Sequence, residues 1–397
     1  GMMSGATRFI VEETIRFGFE TPLGLVLEDN SSLIQSIVYI INQTTGGRVK
    51  VYDSLIKAAI ENGVGILIPK GFSENITRGD QSYRLEYMIT VDRVSFTSVS
   101  SKMALVNSLS SYIERIILEI IVQETGQRPA KVDVMLSGSA IFYGKVMDGN
   151  IVSIVVSTLS FLPLLVSIVT GLNIGYSAQL VAYEKSEKAF EMLLAQPIKR
   201  RDIVIAKLIG ATVATILFSL IYLAGMFIMT LGAVSGLPID TSSLQNITGD
   251  LALPLGLNII SHIIVSLAIA IVLGLIQTGA IGIVLGSISQ DERTASLLIM
   301  PFTFLYVGIA IMIMYVGLQL DVFSSVVSGL VILPLPVVYT ISVITGQILY
   351  IVASLVTSLI FCIVLYILAV KLFNRDVVVL GLRISISRFR ERREKGS

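Results

Sequence analysis

The pattern of apolar and polar positions changes character at about residue 150. Before that point, short apolar runs alternate with polar stretches at the periods of strands and helices. Residues 22–28 read as a strand. Asp29-Asn30-Ser31-Ser32 follows as turn and N-cap, ahead of an apolar-periodic helix at 33–42. Val49–Tyr52 reads as a second strand, 54–62 as a second helix, Val64–Pro69 as a third strand, and 72–78 as a short helix. Leu85, Tyr87, Ile89 and Val91 alternate with other residues, which suits a half-buried strand over 83–91. A long amphipathic helix is predicted at 99–124 and a further strand at 131–136. Strands interleaved with helices predict an α/β domain over 1–150 with a partly parallel sheet.

From Ile151 onward the chain consists mostly of long uncharged stretches. A spanning helix needs about 20 predominantly apolar residues. Residues 151–178, 203–232, 255–288 and 295–318 meet that requirement. The uncharged run Val322–Val370 is too long for one helix and is broken by Pro334 and Pro336. It divides into a short segment at 323–344 and a span at 346–370. Backbone that enters hydrocarbon without crossing it must be buried in protein or line a cavity, so 323–344 reads as two short re-entrant helices. The predicted fold class is a polytopic α-helical membrane protein, with five spans in this chain and an N-terminal extracytoplasmic α/β domain.

Composition adds orientation. The 397 residues are 54% hydrophobic and 14% charged, against about 25% charged in soluble domains. The basic residues beyond 150 lie in three places: Lys185, Lys188, Lys199, Arg200, Arg201 and Lys207 after the first span, Arg293 between the third and fourth, and a tail from Lys371 to Lys395. The alternate connections, 233–254 and 319–345, hold none. Basic residues near span ends mark the cytoplasmic side. Segments 183–202, 289–294 and the tail at 374–397 are therefore expected inside, with 1–150 and 233–254 outside a cell membrane. The sequons at Asn30, Asn42, Asn75 and Asn246 all fall on the expected outer side. No signal peptide is readable, because Arg8, Glu12, Glu13, Arg16 and Glu20 interrupt residues 2–20. The net charge of +1 gives no argument for nucleic acid as a partner, and the single Cys362 permits no intrachain disulfide.

The spans also exclude chemistry. Secondary transporters place ionisable residues within their spans, and here the span interiors hold only His262. That residue reads either as a helix–helix hydrogen-bonding group or as a contact on a substrate path. Gly138 to Val146 resembles a phosphate loop only superficially. Five residues separate its glycines where four are needed, and Val146 stands where Ser or Thr would bind magnesium. One His and one Cys make no metal set. A transporter without coupling residues of its own needs work delivered from elsewhere.

The most informative segment runs from Glu184 to Pro197. Phe190, Leu193 and Leu194 recur at helical spacing, with Glu184, Glu187, Lys188 and Glu191 on the other face. Such a helix lies flat at a membrane surface, either as an interfacial anchor or as a docking element for a cytoplasmic partner. From Glu184 through Pro197 to Lys207 it resembles the coupling helix of type 2 ABC-transporter permeases. Glu184, Glu191, Leu193, Leu194, Pro197, Arg200 and Lys207 match that pattern, and Lys188-Ala189 departs from its usual Gly-Thr pair. Ser287 to Ala295 resembles the family's short cytoplasmic turn, and Leu333-Pro334-Leu335-Pro336 its outer re-entrant segment before the last span. Residues 1–150 look like the domain inserted between the family's first two spans, which implies six spans in a full-length chain and one upstream of Gly1.

The resemblance implies a permease that binds no cofactor and has no catalytic site of its own. ATP and magnesium would sit in a separate cytoplasmic ABC ATPase. It further implies a second permease copy, identical or different, within the lipid bilayer. Glu184, Glu187, Phe190, Glu191, Leu193, Leu194, Pro197 and Arg200 would meet the ATPase, and His262, Pro334 and Pro336 would border a substrate path or outer gate. Export of an apolar or amphipathic substrate suits the uncharged spans. The competing expectation is a non-transporting receptor or scaffold with a ligand-binding outer domain.

Overall fold

The structure is a computed structural model, and it describes residues 23–44, 47–78, 82–125, 133–186, 199, 201–217 and 259–373. The chain divides into two units, residues 1–160 with 315–317, and residues 161–314 with 318–397.

The first unit is built on a six-stranded mixed sheet of order β2-β1-β3-β4-β5-β6. Its strands are β1 (Leu23–Leu27), β2 (Val49–Tyr52), β3 (Val64–Ile68), β4 (Ser82–Val91), β5 (Asp133–Phe142) and β6 (Lys145–Asp148). Helices α1 (Ser32–Thr44), α2 (Leu55–Asn62), α3 (Phe72–Arg78) and α4 (Phe96–Thr125) connect the first five. β1 pairs in parallel with β2 and β3, β4 runs antiparallel to β3 and parallel to β5, and β6 returns antiparallel to β5.

Local sequence explains this arrangement. Gly24 and Gly65 lie side by side under α2. A Cβ on Gly24 would stand 2.7 Å from the Ala58 Cβ, and one on Gly65 would stand 3.0 Å from the Leu55 carbonyl oxygen. The missing side chains let the helix pack directly on the sheet. The alternation in β4 buries Tyr83, Leu85, Tyr87, Ile89 and Val91. Leu105, Leu109, Ile113, Ile116 and Ile117 form the buried stripe of α4. Asp29 joins the loop after β1 to the first turn of α3: its carboxylate accepts from the Ser31 amide (3.0 Å), the Ser73 amide (2.9 Å) and the Ser73 hydroxyl (2.6 Å).

One difference from the sequence reading lies at 131–148. The strand expected at 131–136 is observed over 133–142 and turns back as a hairpin into β6. The stretch resembling a phosphate loop is this hairpin. Tyr143 (φ 47°) and Gly144 (φ 81°) both take the left-handed conformation, which the tight two-residue turn requires.

The second unit is helical. It comprises the part of α5 (Gly149–Ser186) beyond Ser160, α6 (201–217), α7 (Ile259–Ile288), α8 (Glu292–Val316) as far as Met314, α9 (Val322–Val331), α10 (Leu335–Thr345) and α11 (Ile348–Phe373). Among the described residues, four helices are long and apolar enough to cross a membrane: α5, α7, α8 and α11. The stretch expected at 203–232 is helical through 217, and its remainder lies outside the described residues. α5 continues beyond the apolar stretch ending at 178, because the polar residues that follow find partners on neighbouring helices.

The Pro-containing segment forms two short helices. Asp321 caps α9 with a capping box, its carboxylate accepting from the Ser324 amide (2.6 Å) while its own amide donates to the Ser324 hydroxyl (3.1 Å). Ile332 (φ 64°) ends α9, and Pro334 caps α10 with Pro336 in its first turn. A Cβ on Gly329 would lie 2.6 Å from the Ser354 carbonyl oxygen, so α9 packs almost backbone to backbone on α11.

Candidate functional site

Among the described residues of the helical unit, polar groups gather in three places that bear on the site. The first is the end of α5 that adjoins the Glu184–Pro197 segment. Glu184 and Lys185 are consecutive on the helix and therefore point about 100° apart. Glu184 forms an ion pair with Lys207 of α6, whose side chain is only 5% exposed. Lys185 reaches α7, where its Nζ donates to the carbonyl oxygens of Ser287 (2.8 Å) and Ser289 (2.7 Å). These acceptors lie at the C-terminal end of α7, where the final carbonyls lack helical partners and the macrodipole is negative. A lysine is the matching donor. Ser287 and Ser289 are buried, and their hydroxyls donate back to Val284 and Gly286.

The turn continues into α8. Asp291 caps it, accepting from the Thr294 amide at 2.7 Å. Hydrogen bonding by the Thr294 side chain and amide, with Arg293 nearby, holds the Asp291 carboxyl below its ordinary range. Glu292 in the first turn suits the positive end of the helix dipole. A half-open groove of about 380 Å³ adjoins this turn, lined by Tyr176, Gln179, Tyr183, Gly210, Glu292 and Ser296 among others.

The second place lies deeper, where α5, α6 and α7 meet. The Asn173 amide donates to the Leu275 carbonyl (2.7 Å) and to Thr278 Oγ1 (3.0 Å), and its oxygen accepts from Thr215 Oγ1 (3.0 Å). Gly279, Gly282 and Gly286 let α7 approach α5 closely. A Cβ at Gly282 would stand 2.5 Å from the Ile174 carbonyl oxygen, and one at Gly286 2.4 Å from that of Ala178. Gln277 performs a comparable task on another face of α7, donating to the Gly329 carbonyl and Ser358 Oγ, both at 2.9 Å.

The third place is at the second of the two short helices, α10. His262 is buried on α7, with its ring centroid 6.2 Å from that of Tyr339 on α10. Ser266 and Thr340 hydroxyls lie 3.4 Å apart one turn further along. Pro334 and Pro336 shape the start of α10, two turns or fewer from Tyr339. His262 and the two prolines thus belong to neighbouring elements. Of the residues expected to meet an ATPase, only Glu184 is among those described. Glu187, Phe190, Glu191, Leu193, Leu194, Pro197 and Arg200 lie outside them.

The roles of Lys185, Asn173 and Gln277 were not readable from the sequence, because their partners lie 42 to 105 residues away. The available signal was an amide inside an otherwise apolar run. Among the described residues, no group of three or more His, Cys, Asp or Glu side chains is placed to hold a metal ion.

Long apolar helices that turn amides and hydroxyls inward, with a pair of short helices packed among them, define a polytopic membrane protein. The chain matches the model of the family described as ABC-2 family transporter protein over residues 3–373, and it belongs to that family. It is a permease component of an ABC transporter, in agreement with the resemblance carried by Glu184 to Lys207. No curated protein and no solved structure matches the chain.

Proposed function

We propose that this chain is the membrane-spanning subunit of an ATP-driven exporter. A separate cytoplasmic ATPase docks on the segment 184–196, and ATP and magnesium are bound there, not by this chain. Two permease copies together form the path. Residues 1–150 and 233–254 face outward, and the loops at 183–202 and 289–294 and the tail at 374–397 face the cytoplasm. The domain limits follow the same scheme, with the outer domain at 1–150, the permease at 151–373 and the basic tail at 374–397.

The observation that carries this reading is the construction at the end of α5. The docking segment leaves a helix whose last turns are held by an ion pair to α6 and by two hydrogen bonds to α7. Force applied to such a segment moves three helices together. Glu184 serves as the inner anchor of the segment, while Glu187 and Glu191 offer charge to the ATPase and Phe190, Leu193 and Leu194 offer apolar contact, with Pro197 and Arg200 closing it. The absence of Asp, Glu, Lys and Arg from the span interiors supports an external energy source. It also supports an apolar or amphipathic substrate that passes His262, Pro334 and Pro336.

The test is co-purification. A Glu187→Arg/Leu193→Asp variant, still inserted and folded, is expected to lose the ATPase that accompanies the wild-type chain. Retention of the ATPase by that variant would contradict docking on this segment.

A further inference from the structure

The docking segment 184–196 starts in the last turn of α5 and runs on beyond Ser186, yet the turn that joins α7 and α8 lies more than 100 residues from Lys185. Movement at the segment needs a physical route to them. The ion pair at Glu184 leads only to α6, whose own chain is continuous with the segment. Lys185 leads elsewhere. Its ammonium bridges the Ser287 and Ser289 carbonyls, one at the last turn of α7 and the other in the turn before α8. Both acceptor residues are buried, and the side-chain stem is partly covered.

A lysine that served only for solubility would extend its head into water. This one is folded back onto the two carbonyls. The Ser289 hydroxyl and amide are already committed to Gly286 and Leu285 within the same turn. The turn is therefore internally rigid, and Lys185 attaches that rigid piece to the base of the docking segment.

We propose that Lys185 is the positioning residue through which displacement of the docking segment is passed to the α7–α8 turn. The inference rests on the exporter reading above and adds the route. Nucleotide-driven movement of the part of the docking segment beyond Ser186 shifts the end of α5. Lys185 carries the Ser287–Ser289 carbonyls with it, and α7 and α8 respond as a pair through the Asp291 cap. An arginine at this position keeps a cation with several donors for the same two carbonyls, whereas a methionine keeps the stem and removes the donors.

The test compares wild type, Lys185→Met and Lys185→Arg, each purified with its ATPase in lipid nanodiscs. Hydrogen exchange is followed in peptides covering 187–198 and 286–296, without nucleotide and with ATP plus vanadate. In wild type, nucleotide is expected to change exchange in both peptides, by roughly fivefold or more in 286–296, the scale of ordinary coupling between sites. Lys185→Met is expected to keep the ATPase and the response at 187–198 while losing that at 286–296, and Lys185→Arg is expected to restore it. A merely structural role would alter exchange at 286–296 equally in both nucleotide states. An unchanged nucleotide response at 286–296 in Lys185→Met would overturn this proposal alone. No nucleotide response at 187–198 in wild type would overturn the docking reading and this proposal with it.

Discussion

The two units solve the problem of polar atoms in opposite ways. In the sheet unit the buried side chains are mostly apolar, such as Leu23, Ile66, Leu85 and Ile89, and the carboxylate of Asp29 is used at a loop. In the helical unit, large apolar side chains such as Phe304 and Leu349 are more than 70% exposed. The fully buried positions there include Asn173, Gln277, Thr278, Ser325 and Ser358. Water solvates the exposed polar groups of the first unit, so most of them need no internal partner, and its core is held by the hydrophobic effect. Lipid tails are as apolar as leucine, so the second unit gains little from burying leucine. It relies on close glycine contacts and on hydrogen bonds between helices. Substitutions of the same chemical type should therefore have different consequences in the two units.

The largest effect is expected where backbone meets backbone. Gly282→Leu would force side-chain atoms into the Ile174 carbonyl and should cost about 3 kcal/mol or more, read as loss of monodisperse protein after heating in detergent. Survival of that variant with wild-type thermal stability would break the picture of glycine-mediated packing.

The corresponding test in the sheet unit is Gly138→Ala. A Cβ at Gly138 would stand 1.9 Å from the Tyr87 ring, which also covers Gly149. The cost should be about 2 kcal/mol. It should shrink when Tyr87 is also replaced by alanine, because the clash partner is then gone. Purely additive effects in that double mutant would show that the ring is not the obstacle.

Asn173→Leu removes three interhelical hydrogen bonds and should destabilise the helical unit by about 1–2 kcal/mol, measured as a lower melting temperature in nanodiscs. A neutral result would mean that the amide does not join α5, α6 and α7.

The smallest effect concerns acid. Burial alone would raise the Asp29 carboxyl, but hydrogen bonds from Ser73 and Ser31 outweigh it and lower it to about 2. A carboxyl lowered in the folded state contributes stability that is fully present above its unfolded value of about 3.9 and is lost as pH falls toward 2. Asp29→Asn should therefore cost about 1 kcal/mol near neutral pH, after allowance for solvent. It should also flatten the loss of stability between pH 4 and 2. An unchanged acid limb in the variant would remove Asp29 from the account.

Much of the fold was legible because its signals are local. The alternation of Leu85 to Val91, the Asp29–Ser32 cap and the breaks at Pro334 and Pro336 each act within a few residues, and the corresponding elements are observed. The Tyr143–Gly144 hairpin was not legible, because a tyrosine with positive φ carries no turn signal of its own. The site divides along the same line. The amphipathic pattern of Glu184 to Leu194 is visible in sequence alone, whereas the Lys185 bridge to Ser287 and Ser289 depends on packing between distant helices. Lys185 entered the sequence reading only as one basic residue among six after the first span.

The central claim is that the segment leaving α5 lies in the cytoplasm, where an ATPase can reach it. The only native thiol, Cys362, is buried, so introduced cysteines can be followed against a low background. The direct measurement is labelling with a membrane-impermeant maleimide at Lys199→Cys and Asn30→Cys, both exposed positions. Asn30→Cys should react in intact cells, and Lys199→Cys only after the membrane is permeabilised. Reaction of Lys199→Cys in intact cells would invert the topology and contradict docking of an ATPase on this segment.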